Sequence, residues 1–302
     1  MNTKIVASLL FLLNASLFGT YYAVSKEALV RVDPLIFSSV QMLVLVPIAL
    51  FLIGTSWRRL TKKVIKQGIQ QGSCLGLSFL MMSITLKYTM AMATAFFPSL
   101  NGFLALLVAW VFLRQPIAKV SWLAGLLSVA GVGFLAINAS TGGARIMFVA
   151  FLGGLFLTCY IFLTDQQQHK EIASWALLGI QLLTVAALTT VAALAFGNWQ
   201  NIHFSLPGDI LVLLYTALEC TFIPMMITIL AQKYLSPVTV SFIYILEPII
   251  GTLVAHFFLN EAILLNIYIG GTLVIVGTLL HLWGTASHAG ARHAQLQRRD
   301  FQ

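Results

Sequence analysis

Apolar runs, each closed by a short polar or charged break, follow one another along nearly the whole chain. A helix needs about 20 consecutive apolar residues to cross the hydrocarbon core of a bilayer. Against that length the pattern predicts membrane helices near residues 5–25, 34–54, 67–87, 91–113, 119–138, 144–164, 172–196, 209–232, 237–259 and 263–284. Basic residues gather in the breaks. With the N-terminus inside, thirteen of the 17 Lys and Arg residues face the cytoplasm, and only Lys26, Arg31, Lys87 and Arg145 face outward. Lys and Arg accumulate in cytoplasmic loops, so both termini are expected in the cytoplasm.

Composition removes several classes of function. Only 9% of the 302 residues are charged, against roughly 25% in a soluble domain. The spans leave no room for a soluble catalytic domain beside them. A net charge of +8 would suggest nucleic acid in a soluble protein, but these charges sit in loops between spans, and nucleic acid is excluded as a partner. The cluster Arg58, Arg59, Lys62, Lys63 and Lys66 reads first as a topology signal and second as a contact for anionic headgroups. Cys74, Cys159 and Cys220 are isolated in apolar segments and offer neither a disulfide framework nor a metal site, so they read as packing residues. Met1 to Phe18 carries one basic residue and no small-x-small cleavage site, so it is kept as the first helix rather than a signal peptide.

The chain also resembles itself. A shift of 146 residues places Lys87 and Tyr88 on Lys233 and Tyr234, Ala109 on Ala255, Phe112 and Leu113 on Phe258 and Leu259, Gly125 on Gly271, and Gly131 on Gly277. A shift of 138 places Leu17, Phe18, Thr20 and Tyr22 on Leu155, Phe156, Thr158 and Tyr160, and a shift of 140 places Gln41 on Gln181. Two repeats of five helices follow, 1–140 and 141–284, with a polar tail at 285–302 that is expected to be disordered. Because five is odd, the second repeat enters the membrane from the opposite side. The fold class is therefore an all-α integral membrane protein of ten transmembrane helices in two inverted repeats, an arrangement that permits alternating access.

The run from Tyr244 through Glu247 and Pro248 to Glu261 resembles the Glu-Pro, apolar stretch and Leu-x-Glu hallmark of EamA-type proteins in the drug/metabolite transporter superfamily. Phe18-Gly19-Thr20 with Lys26, and Leu86-Lys87-Tyr88-Thr89, resemble the first- and third-helix patterns of that family. The resemblance spans residues 5–284. It implies a carrier of the bacterial inner membrane, many of whose relatives export amino acids, other metabolites or toxic compounds. Two departures stand out. Asn101-Gly102 replaces Glu-Pro in the first repeat, and Arg114-Gln115 stands where an acid would close its Leu-x-Glu. Gln41 stands near the point where many relatives carry Arg, which favours neutral, zwitterionic or cationic substrates over anions.

Polar groups at bilayer depth are costly, so their positions are informative. Asn14, Gln41, Asn101, Gln181, Glu219 and Glu247 all fall near the middle of their spans. The repeat relates Gln41 to Gln181, Asn101 to Glu247, and Ser73 to Glu219, at the depth where inverted-repeat carriers bind substrate. Asn and Gln also serve as interhelical ties, which is the competing reading for Asn14, Gln41 and Gln181. Glu219 and Glu247 have no Lys or Arg at their depth, so each either holds a proton or faces water, and both are candidates for proton coupling. Pro248 offers Glu247 a local alternative, a bond to a carbonyl freed by a kink. Among the aromatics Tyr21, Tyr22, Phe96, Phe97, Tyr160, Tyr215 and Tyr244, Tyr22 and Tyr160 rank first because the repeat superposes them. Glu261 reads as a solvated residue at a helix end, and His256 and His281 as interfacial. Gly68, Gly72 and Gly76 form a flat stripe for packing within the bundle.

The leading expectation is a secondary carrier for a small organic solute, amino acid-like and neutral or cationic, exported across the inner membrane with protons as the candidate coupling ion. Its partners are that solute and the lipid bilayer, with no cofactor, no metal and no enzymatic activity expected. An intramembrane enzyme acting on lipids would want His beside the midplane acids, and none lies at matching depth. A channel would want a filter loop or a ring of identical subunits. No phosphate-binding loop of an ATPase is present.

Overall fold

A computed structural model of the chain describes residues 3–96, 103–104, 110, 119–136, 143–168, 174–201, 204–205, 207–231, 234–235, 243–244 and 246–299. At 136, 162, 165–168, 174, 201, 281–282 and 285–299 it describes the backbone alone. Every regular element among these residues is helical. They are α1 (Thr3–Arg31), α2 (Pro34–Leu43), α3 (Val46–Thr55), α4 (Lys62–Tyr88), α5 (Ala91–Ala95), α6 (Lys119–Ala136), α7 (Gly143–Gln168), α8 (Ser174–Phe196), α9 (Gly208–Ala217), a π-helical turn (Leu218–Phe222), α10 (Ile223–Ala231), α11 (Leu246–Leu259) and α12 (Leu265–Arg299). Short 3₁₀ turns lie at Trp57–Arg59 and Trp199–Asn201. Among the described residues, six stretches are long and apolar enough to cross a membrane: Thr3–Arg31, Pro34–Thr55, Lys62–Tyr88, Gly143–Ile161, Trp175–Phe196 and Gly208–Ala231. Lys119–Leu135, Leu246–Leu259 and Leu265–Leu280 are shorter apolar helices. The expected span 91–113 lies largely outside the described residues, and α12 continues to Arg299, through most of the expected tail.

Two expected spans are interrupted. The second divides at Val44 and Leu45 into α2 and α3, because Pro47 has no amide to donate back to the preceding turn. Asp33 starts α2 by accepting from the Leu35 and Ile36 amides at 2.9 and 3.4 Å, with Pro34 in the first turn where its missing donor costs nothing. The eighth span carries the π turn between α9 and α10. Wider winding there frees the Thr216 carbonyl from the regular ladder. Thr221 Oγ1 and Gln41 Nε2 donate to it at 2.9 and 3.1 Å.

Helices pack through small residues. α6 lies along α12, α1 along α11, and α4 against both α7 and α8; α2 and α3 also cover α8, while α1 contacts α10. The glycine stripe of α4 meets α8: a Cβ on Gly68 would lie 2.6 Å from the Ile180 side chain, and one on Gly72 2.9 Å from the Gln181 carbonyl. The α6 and α12 seam is tighter still. A Cβ on Gly131 would stand 2.6 Å from the Gly270 carbonyl and 2.9 Å from the Val274 nitrogen. One on Gly277 would stand 2.6 Å from the Ala124 carbonyl and 3.0 Å from the Ser128 nitrogen. Large side chains such as Phe196, Phe257 and Phe258 point outward from the bundle, as a lipid-facing surface requires.

Candidate functional site

α1 and α11 approach closely because neither has a side chain at the crossing. A Cβ on Gly19 would lie 2.9 Å from the Glu247 carbonyl, and one on Gly251 would lie 3.2 Å from the Gly19 carbonyl. One turn along α1 from Gly19, Tyr22 reaches across this crossing. Its hydroxyl donates to Glu247 Oε1 at 2.9 Å, with Tyr22 6% and Glu247 8% exposed. Two residues singled out by separate sequence arguments therefore form one buried pair. The local alternative for Glu247, a bond to a carbonyl freed by Pro248, is not the contact observed. Among the described residues no ion pair reaches this carboxyl, and its hydrogen-bond partner is a neutral phenol.

Aromatic and hydroxyl groups surround the pair. Tyr21 stacks edge-on against Tyr22 with ring centroids 5.8 Å apart, and its hydroxyl lies 3.4 Å from Ser83 Oγ, which in turn accepts from Ser38. Thr20 Oγ1 lies 2.7 Å from the Tyr215 hydroxyl and 3.8 Å from Cys220 Sγ, joining α1 to the π turn. Tyr244 packs against Phe11 and Phe18. Ser38 and Ser83 escaped the sequence reading, and Thr20 entered it only through the repeat and the first-helix pattern, since hydroxyl residues in apolar helices commonly bond their own preceding turn and carry no signal of a partner.

The remaining candidates divide between two places. Asn14 donates to the Pro224 carbonyl at 3.2 Å and to Thr228 Oγ1 at 3.5 Å, and Gln41 donates to the Thr216 carbonyl and to Thr221 Oγ1, so both tie their helices to the eighth span. Glu219 lies half-buried in the π turn itself, and no described residue hydrogen-bonds its carboxyl. Gln181 stands apart, donating to Gln71 Oε1 between α8 and α4, while Tyr160 packs against the buried cluster that includes Met42, Leu178, Leu182 and Met225. Asn101 and Phe97 lie outside the described residues.

A buried carboxyl with a single phenol partner, held between two helices of an apolar bundle, suits a carrier better than a hydrolase. The comparison with known families decides the class: the model of the EamA-like transporter family matches residues 5–137 and 144–283. The chain belongs to the EamA-like transporter family. It is a multi-pass membrane transporter of the drug/metabolite type. A solved crystal structure of another protein shares its fold, with a TM-score of 0.61 at 15% identity over 91% of this chain and 96% of that one. No curated protein matches the sequence.

In this EamA-like chain three of the residues expected to face outward, Lys26, Arg31 and Lys87, lie near the ends of α1 and α4. Arg31 pairs with Asp209 at 2.5 Å, and the Asp209 carboxyl also accepts from the Ser205 amide at 2.6 Å. Lys26 Nζ donates to the carbonyls of Leu86, Lys87 and Thr89 at 2.6, 3.2 and 2.5 Å. Glu261, read from sequence as solvated, instead accepts from the Ala91 and Met92 amides at 2.8 and 3.0 Å. Asn260, at φ 52°, turns the chain after α11, and the Glu261 amide closes back on the Ala255 carbonyl at 3.4 Å. His256 Nδ1 lies 2.9 Å from the Glu261 carbonyl.

Proposed function

We propose that this transporter is a secondary carrier that moves a small organic solute by alternating access, with the Tyr22 and Glu247 pair as the substrate or coupling site. The observation that carries the reading is the buried carboxyl of Glu247, held where two helices pack closely and matched, among the described residues, by a neutral phenol. A group so placed can exchange a proton for an amine or other cationic group of a substrate, because both ligands compete for one carboxyl. The reading favours an amino acid-like solute, neutral or cationic, leaving the cytoplasm. Glu219, Gln41, Asn14, Asn101, Gln181 and Tyr160 are its further candidates.

Ten spans in two inverted repeats, 1–140 and 141–284, supply the machinery. The family match falls in two stretches that meet at the proposed join. Packing supports the same division. Exchange of the repeats turns the contact of α1 with α10 into that of α7 with α4, and both occur. It also turns Gly131 against Gly270 and Val274 into Gly277 against Ala124 and Ser128, which are the contacts found. Uptake of a labelled amino-acid and metabolite panel into proteoliposomes, with and without an imposed pH gradient, tests the function. At least one labelled solute should accumulate above protein-free vesicles. A flat panel with correctly inserted protein would refute transport of these classes.

A further inference from the structure

We propose that Lys26 and Glu261 form a clamp that closes the end of the pathway nearest Arg31 and Lys87, and that its release admits solvent to Tyr22 and Glu247 from that end. The proposal rests on the alternating-access reading above. Lys26 lies one helical turn beyond Tyr22 on α1, and Glu261 follows α11, the two helices that carry the buried pair. Both charges grip the same hairpin. Lys26 binds the carbonyls that end α4, where unpaired acceptors and the helix dipole attract a cation. Glu261 binds the first amides of α5, where unpaired donors attract an anion. Each contact is a charge-assisted hydrogen bond to backbone, so neither side chain can keep it if the hairpin moves away from α1 and α11. Thr89, in the gripped turn, is 2% exposed, and its hydroxyl has no partner among the described residues. Opening at this point would hydrate it.

The opposite end cannot build the same device. The repeat places Lys26 on Thr164, which is uncharged and whose hydroxyl returns to the Tyr160 carbonyl of its own helix at 2.8 Å. Glu261 falls on Gln115, and Ala91 on Pro237, which has no amide to donate. One end thus closes through two ionic caps, and the sequence of the other lacks the residues to form them. The two access states are unequal at rest, with the clamped end shut.

Thiol accessibility in the full-length protein tests this without a substrate. Cys74, Cys159 and Cys220 are replaced by Ser, and Ser25→Cys, fully buried between Tyr22 and Lys26, supplies the single thiol. A membrane-impermeant maleimide is applied to each face of reconstituted vesicles. Lys26→Met and Glu261→Gln should each raise labelling from the clamped face by about tenfold or more, the shift expected when one state loses a charge-assisted hydrogen bond. Lys26→Arg and Thr164→Val should label as slowly as the parent. Glu261→Gln keeps the side-chain volume and carries the test alone if Lys26→Met fails to insert. Unchanged labelling in folded variants, or an equal rise from both faces, would overturn the clamp. A silent uptake panel with the labelling shift intact would instead sink the carrier reading and leave the clamp standing.

Discussion

At the scale of single residues, the pairing of Tyr22 with Glu247 separates two roles that one carboxyl can play. A phenol can donate to a carboxyl oxygen and also to the carbonyl oxygen of an amide. Glu247→Gln therefore keeps the volume and the bond from Tyr22 while removing the exchangeable proton. It should insert normally but lose the response of transport to an imposed pH gradient. Gradient-driven transport equal to the parent would rule out a coupling role for this residue, and Glu219→Gln in the same assay decides whether the second acid carries the proton. The two glutamines make a different forecast. Leu at 41 leaves the Thr216 carbonyl to Thr221, and Leu at 181 removes the donor to Gln71 Oε1, each at a loss of about 1 kcal/mol by the usual worth of interhelical hydrogen bonds. Transport by Gln41→Leu or Gln181→Leu should fall while membrane insertion persists. A double variant with native transport would confine both to packing.

At the scale of helices, contacts without slack are the most easily tested. Gly131→Val and Gly277→Val each drive a side chain into backbone of the facing helix, an overpacking penalty of about 1–3 kcal/mol. Since the two sites are images of each other, their losses of thermal stability in detergent should match closely. A large inequality would argue against the repeat relation. Apolar run length made most helices legible, because burial of backbone polar groups in lipid leaves helix as the available form. The interruption after Leu43 is written in the sequence by Pro47, inside an otherwise unbroken apolar run. The π turn was not readable: it persists because Gln41, a distant residue on another helix, satisfies its freed carbonyl. Tyr22 and Glu247 were each identifiable, by repeat and by depth, yet 225 residues separate them and no local pattern announces their bond. Glu261 was misread for a related reason. An acid at a helix end looks solvated until the start of α5 is found opposite it.

For the molecule as a whole, the charge distribution makes the first forecast. With thirteen of 17 basic residues on one side, both termini should be cytoplasmic, and a reporter fused after Gln302 should be active there. Activity confined to the other compartment would invert the topology and, with it, the face on which the clamp lies. Exchange of two inverted repeats also sorts the contacts into those that must change between access states and those that need not. The seam of α6 with α12 maps onto itself, as does that of α2 and α3 with α8, whereas α1 with α11 does not. Spin labels placed across the glycine seam should then read one separation in every state of the transport cycle. The protein would carry its own ruler, a fixed interval against which the displacement of any other helix could be measured in the same sample.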